Sequence, residues 1–284
     1  MADRDQCMNA LANQAADLMT LEAGEVFIAG RYHSLVPIVS EIYAGQTYAE
    51  SSGYYSVAVV HKHGRLQNIQ DLTGARSCFP AVGQMAGWVL PLATLLQRKI
   101  MPVSDCNNMI KTAAHFFNAS CAPSSLIDKH NPSGDNPQSM CSLCASNCAG
   151  NEPYAGFLGA FRCLLQRGEV AFLKHNTVQM ALDRLSPLAL TGQPAIPSPG
   201  SGLNRNQVNK FDFALLCPDG GRAELHAYAT CNWGHVPAHA IVTVSSVLPD
   251  KREKMQRFLL TSSQLFGGLA SMTDFRNAFS SSGI

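Results

Sequence analysis

Tyr54-Tyr-Ser-Val-Ala-Val-Val60 is the most strand-like run in the chain. β-Branched and aromatic residues crowd it, and such side chains suit a pleated, buried surface. On its N-terminal side, Val36-Pro-Ile-Val-Ser-Glu-Ile42 is a second β-rich run. On its C-terminal side, the turn Asp71-Leu-Thr-Gly74 precedes a short strand, Arg76-Ser-Cys78. Gly83-Gln-Met-Ala-Gly87 then leads into an apolar helix that runs to Leu96. Further on, the pattern predicts helices over 103–117 and 159–165, a strand over 170–173, strands over 213–217 and 239–244, and a closing amphipathic helix over 251–266. Towards the start, Met8, Leu11, Ala12 and Ala15 give 6–18 a helical period, which runs into a strand-like 17–21 with Glu22-Ala-Gly24 as a turn. Residues 186–210, rich in Pro, Gly, Ser and Asn, read as a surface connector. Strands alternating with helices imply an α/β fold with sheets flanked by helices.

Composition bounds the function. The 284 residues are 46% hydrophobic and 14% charged, ample for a core and for two domains. A net charge of +1 supplies no basic field for nucleic acid or an acidic lipid surface. A bilayer span needs about 20 apolar residues, and the best run, Trp88 to Leu96, is short and carries Pro91, so no transmembrane segment is expected. The start, Met-Ala-Asp-Arg-Asp-Gln-Cys, carries no apolar signal region. His61, His63, His115 and His175 are scattered, with no HExxH, P-loop or nucleophile elbow around them, so the chain is read as a non-enzyme.

The cysteines point outside the cell. There are ten, and Cys121, Cys141, Cys144 and Cys148 crowd one polar stretch. An even count with close clustering suits disulfides in an oxidising compartment. Cys141-Ser-Leu-Cys144 also has the spacing of half a zinc knuckle or a redox pair, although it sits among Asn, Ser, Pro and Gly rather than at a helix start. Asn118-Ala-Ser120 is a glycosylation sequon.

Several segments, in order and nearly at family spacing, resemble the transferrin family. They are Thr20-Leu-Glu-Ala-Gly24, Tyr54 to Val60, Ser77-Cys-x5-Gln-Met-Ala-Gly-Trp88, Gly159-Ala-Phe-Arg-Cys163, Gly168-Glu-Val-Ala-Phe-Leu-Lys-His175, Leu215-Leu-Cys-Pro-Asp219 and His235-Val-Pro-Ala-His239. The resemblance implies a lobe of two α/β domains that close, like the clam of periplasmic binding proteins, on ferric iron and a carbonate. One domain is discontinuous and incomplete, 1–54 plus 237–284, and the other is inserted, 55–236. It also implies the pairs Cys78–Cys163, Cys121–Cys144, Cys141–Cys148 and Cys217–Cys231, with partners for Cys7 and Cys106 lying beyond either end of the chain. A secreted, extracellular protein follows, its signal peptide missing with the N-terminus. A companion lobe and a protein partner or receptor are also implied.

Ferric iron is a hard ion that favours oxygen ligands and tolerates imidazole. The family supplies a carboxylate, two tyrosines, a histidine and the carbonate. Tyrosine, with an ordinary pKa of ~10, ionises there because of the metal's charge. Carried over, the carboxylate is Glu22, where the family usually has aspartate. The first tyrosine is Tyr54, the histidine is His239, and the second tyrosine falls on Phe157, which has no oxygen. The anion cradle keeps the backbone N–H groups of Ala86 and Gly87 at a helix N-terminus. Its threonine falls on Pro80 and its arginine on Gln84, which brings neither charge nor a bidentate fork. Tyr154, three residues before Phe157, is a conceivable replacement ligand. Lys174 matches one of the family's pair of basic trigger residues, and Arg276 loosely matches the other. The expectation is a degenerate iron site with Tyr54, His239 and Glu22 as its remnants. The alternative is an extracellular binding, inhibitor or matrix module.

Overall fold

The computed structural model describes residues 4–42, 53–149, 151–184, 209–266 and 278–280. The chain divides into two compact units, Met1–Tyr54 with Val236–Ile284, and Tyr55–His235.

The first unit contains α1 (Arg4–Ala12), β1 (Met19–Leu21), α2 (Ala23–His33) and β2 (Leu35–Ile42) from the start of the chain. From the end come β10 (Ala240–Val244), α7 (Pro249–Phe266) and β11 (Ala278–Ser280), numbered after the strands of the second unit. Its antiparallel sheet has the order β1-β10-β2-β11. Pro37 lies inside β2, an inner strand, where proline removes a ladder donor. The register shifts between Ile241 and Val242, opposite Pro37, so a bulge absorbs the lost bond. Met8, Leu11, Ala29, Leu35 and Val242 form one apolar cluster. Ile38, Val39 and Ile241 form another, with Met255 and Leu259 of α7 against it.

Glu22-Ala-Gly24, expected as a turn, opens a helix instead. Glu22 is the N-cap of α2, and its N–H donates to Glu25 Oε2 at 3.0 Å. That reciprocal cap, with an acidic first turn, starts the helix despite Gly24. Ser34, left-handed at φ 55°, ends it, and its N–H donates to Ala29 O.

The second unit contains β3 from Tyr55 on (Gly53–His61, beginning one residue before the expected Tyr54), β4 (Arg76–Cys78), α3 (Leu90–Gln97), α4 (Met109–Phe116) and β5 (Ala119–Cys121). After these come α5 (Gly156–Gln166), β6 (Val170–Lys174), α6 (Thr177–Arg184), β7 (Phe213–Leu216), β8 (Arg222–Ala223) and the start of β9 (Gly234–Pro237), which leaves the unit after His235. The sheet runs β5-β4-β6-β3-β7-β8, with β9 pairing β3 off this path. β4 is parallel to β5 and β6, while β3 is antiparallel to β6 and β7, so the sheet is mixed. Both faces are covered. Ala58 and Val60 join Phe79, Trp88, Phe172 and Trp233 in one core. Val57 and Val59 join Phe161, Leu164 and Phe213 in the other. A strand buried on both faces reads as a continuous apolar run, and this accounts for Tyr54 to Val60.

The helix expected over 103–117 is shorter. Asp105 accepts the N–H groups of Asn107 and Asn108, and Asn108 caps α4 by accepting those of Ile110 and Lys111. These local bonds hold 103–108 out of the helix. Disulfides join Cys78 to Cys163, Cys121 to Cys144, Cys141 to Cys148 and Cys217 to Cys231. Cys7 and Cys106 carry free thiols. Among the described residues, no helix is long and apolar enough to cross a membrane.

Candidate metal centre

Pairing in the first sheet assembles a polar cluster from distant parts of the sequence. Leu21 pairs with Ala240, so Glu22 and His239 leave adjacent strands side by side. Ser40 also pairs with Ala240, and Glu41 N–H donates to His239 O at 2.9 Å, which sets Glu41 beside the same imidazole. His239 Nδ1 lies 3.1 Å from Glu41 Oε2, and Nε2 lies 3.6 Å from Glu22 Oε1. Tyr54 meets the imidazole edge-on, with ring centroids 6.4 Å apart.

This arrangement follows a common rule of metal sites. A ligating histidine uses one nitrogen on the metal and gives its other N–H to a carboxylate that fixes the ring. Glu41 suits the orienting role, which leaves Nε2 directed at Glu22. Burial first, then the negative charges of Glu22, Glu41 and Glu25, hold the Tyr54 phenol far above its ordinary pKa. Without a cation, Tyr54 is therefore neutral. Glu41 was not singled out in the sequence. Its signal was the one charged residue in the strand-like Val36–Ile42 run, and it is only 9% exposed.

The expected residues of the second unit form a different picture. A Cβ on Gly87 would fall 2.1 Å from Pro80 Cγ and 2.4 Å from Cδ, so the proline ring rests directly on the Gly87 backbone. Gln84 is the N-cap of a π-helical turn, Met85–Val89, and its carbonyl accepts from Trp88 N–H at 2.8 Å and Val89 N–H at 3.0 Å. Ala86 and Gly87 sit in the first turn, where N–H groups lack intrahelical acceptors. Ser56 Oγ donates to Ala86 O at 2.5 Å. Phe157, in the first turn of α5, lies under Lys174, whose Nζ is 5.0 Å from the ring centroid. Tyr154 is only 4% exposed, its hydroxyl donates to Gln166 Oε1, and the Arg167 guanidinium lies 5.7 Å over its ring. That phenol is committed to the far end of α5. Arg276 lies outside the described residues.

Cys121, Cys144 and Glu152 also bring potential ligand atoms together. Both sulfurs are in one disulfide, and Glu152 accepts from Ala145 N–H, Ser146 N–H and the Ser146 hydroxyl. Burial tends to raise the Glu152 pKa, but these bonds outweigh it and hold the carboxyl low. The group staples a loop and has no thiolate for zinc.

Two α/β units, one made from both ends of the chain and the other fastened by four disulfides, with a carboxylate–imidazole–phenol cluster in the first, define a disulfide-bonded two-unit α/β lobe. Comparison with known proteins gives it a family. The Transferrin family model matches residues 1–283, and the chain belongs to the transferrin family. It is 43% identical over 269 residues to Transferrin 2 of Drosophila melanogaster, covering 92% of this chain and 30% of that protein. It is 35% identical over 275 residues to a transferrin of Blaberus discoidalis, covering 92% of this chain and 35% of that protein. It is 34% identical over 284 residues to an inhibitor of carbonic anhydrase of Sus scrofa, covering 93% of this chain and 35% of that protein. The chain thus spans about a third of the length of these relatives.

Proposed function

We propose that this chain is an extracellular iron-lobe relative whose site no longer holds ferric iron and carbonate tightly. The two units are read as the two domains of one lobe, with Glu22, Tyr54 and His239 as remnants of its metal half. Oxygen and imidazole donors with an orienting Glu41 fit the ion. The observation that carries the loss is the Pro80 ring seated on Gly87. It removes a hydroxyl and occupies the space beside the helix N-terminus where the family's anion is expected. Gln84 brings no charge to replace an arginine, and Phe157 brings no oxygen. Each lost charge-assisted bond is worth roughly 1.5–3 kcal/mol, so their joint loss lowers affinity by several orders of magnitude. The disulfides support a secreted protein, and the shared length with its relatives supports a companion lobe.

Ferric iron with bicarbonate tests this directly. The chain is expected to show no visible tyrosinate-to-iron band at stoichiometric iron, and the triple variant Phe157→Tyr, Gln84→Arg, Pro80→Thr is expected to gain one. A strong band in the unaltered chain sinks the proposal. A second reading, a module that binds or inhibits a protein partner, is favoured by the similarity to the porcine inhibitor. It is tested by adding the chain to carbonic anhydrase and following hydration of carbon dioxide.

A further inference from the structure

Two disulfides of the second unit touch each other beside β5. Cys121–Cys144 fastens the loop that follows β5 to the end of that strand, and Cys141–Cys148 closes a link within the loop itself. Cys144 Sγ lies 3.6 Å from Cys148 Sγ, so the two bonds are in van der Waals contact.

The four cysteines are unequally exposed. Cys121, Cys144 and Cys148 are buried, whereas Cys141 is half-buried. A thiolate from solution attacks the sulfur it can reach and expels the other one. At this pair it reaches Cys141 and expels Cys148. Two neighbours decide what the expelled sulfur does. The buried Ser125 hydroxyl lies 3.2 Å from Cys141 Sγ and 3.4 Å from Cys148 Sγ, so it can donate to the leaving sulfur. Ala122 O lies 3.3 Å from Cys148 Sγ and repels a thiolate there, so the charge does not persist. Cys144 Sγ, already in contact, is where it can go. Cys148 also holds a left-handed backbone at φ 60°, costly for a residue with a Cβ, and opening its link removes one constraint that keeps it there.

We propose that Cys141 is a thiol-exchange site whose opening is relayed to the buried Cys121–Cys144 link. A small thiol such as glutathione gives its proton to solvent and bonds to Cys141, and the Cys148 sulfur leaves with the electron pair. Cys148 then bonds to Cys144, and the Cys121 sulfur leaves in turn. An oxygen of Glu152 lies within 4.8 Å of the Cys121 and Cys144 sulfurs, and its held negative charge makes the freed Cys121 take a proton back from solvent. One thiol is consumed and one is released, so the sum needs no oxidant or reductant. The loop then loses its disulfide to β5 and is closed on itself through Cys144–Cys148.

Product mapping tests this on the 284-residue chain. The free thiols of Cys7 and Cys106 are first capped with iodoacetamide. One equivalent of glutathione is added, and the chain is then denatured in N-ethylmaleimide and digested without reduction. Peptide mass spectrometry is expected to find glutathione on Cys141, maleimide on Cys121 and a Cys144–Cys148 cross-link. The double variant Cys141→Ala, Cys148→Ala is expected to show at least about tenfold less maleimide on Cys121, since no relay leads there. Maleimide on Cys148 with Cys121–Cys144 intact overturns the proposal. So does glutathione on Cys144, a first adduct at Cys78–Cys163 or Cys217–Cys231, or no adduct at all. A folded double variant that labels at Cys121 as the unaltered chain does also overturns it. If circular dichroism shows the double variant unfolded, the products of the unaltered chain decide alone.

Discussion

His175 shows how a single side chain can be fixed in one protonation state by its surroundings. Its Nδ1 accepts the Tyr55 N–H at 3.1 Å, and its ring lies against Tyr55 and Tyr228. Burial, with the nearby charges of Lys174 and His235, pushes its pKa down to about 4. The unfolded imidazole titrates near the ordinary ~6.5, so between those values the unfolded chain binds more protons than the folded one. The His175 contribution to stability is thus whole above about pH 6.5 and is lost as pH falls towards 4, by about 1–3 kcal/mol. Urea unfolding at pH 7 and pH 5 should show this loss, and His175→Gln, which can still accept from Tyr55, should reduce it. An unchanged pH slope in the variant contradicts the assignment. Residues such as His175 and Glu41 were not legible as a cluster in the sequence, because their partners come from strands far away along the chain. Tyr54, Glu22 and His239 were legible, but only through family resemblance.

At the scale of elements, the sequence was most readable where burial is uniform and least where apolar residues face outward. β3 announced itself because both its faces are covered. α2 did not, since Phe27 and Tyr32 are 72% and 74% exposed and break any single apolar stripe. α6 was missed beside the polar connector, and the first turns of the expected 103–117 helix gave way to side-chain caps. The Gly159-Ala-Phe-Arg-Cys163 motif carries part of the family resemblance, and the structure gives its glycine a physical cause. A Cβ on Gly159 would lie 2.4 Å from the Tyr154 carbonyl carbon and 2.5 Å from its oxygen. The chain entering α5 folds back onto the helix there, after Gly156 at φ 75°. Gly159→Ala must push that backbone away, at an expected cost of about 1–3 kcal/mol by urea unfolding. If the alanine at 159 is neutral or stabilising, the close-approach account is wrong.

Over the whole molecule, cross-linking is unevenly distributed. All four disulfides lie within Tyr55–His235, spanning sequence separations of 85, 23, 7 and 14 residues. Among the described residues the other unit has none, and it rests on the two apolar clusters flanking its antiparallel sheet. Removing a native disulfide typically costs 2–5 kcal/mol, and the Cys78–Cys163 link closes the longest loop. Its sulfurs belong to the apolar core under β3 and α5, so reduction also loosens packing there. The two units should therefore respond differently to a reductant. Hydrogen exchange read by mass spectrometry is expected to show peptides from 55–184 and 209–235 losing protection after dithiothreitol treatment. Peptides from 19–42 and 236–266 should keep theirs, because their hydrogen bonds depend on β1, β2 and β10 pairing with one another. Parallel loss in both sets would mean that the discontinuous unit draws its stability from the cross-linked one, and a two-state description would then hold for the whole chain. Loss confined to the cross-linked unit would show that the sheet made from the two chain ends stands on its own packing, as its buried clusters require.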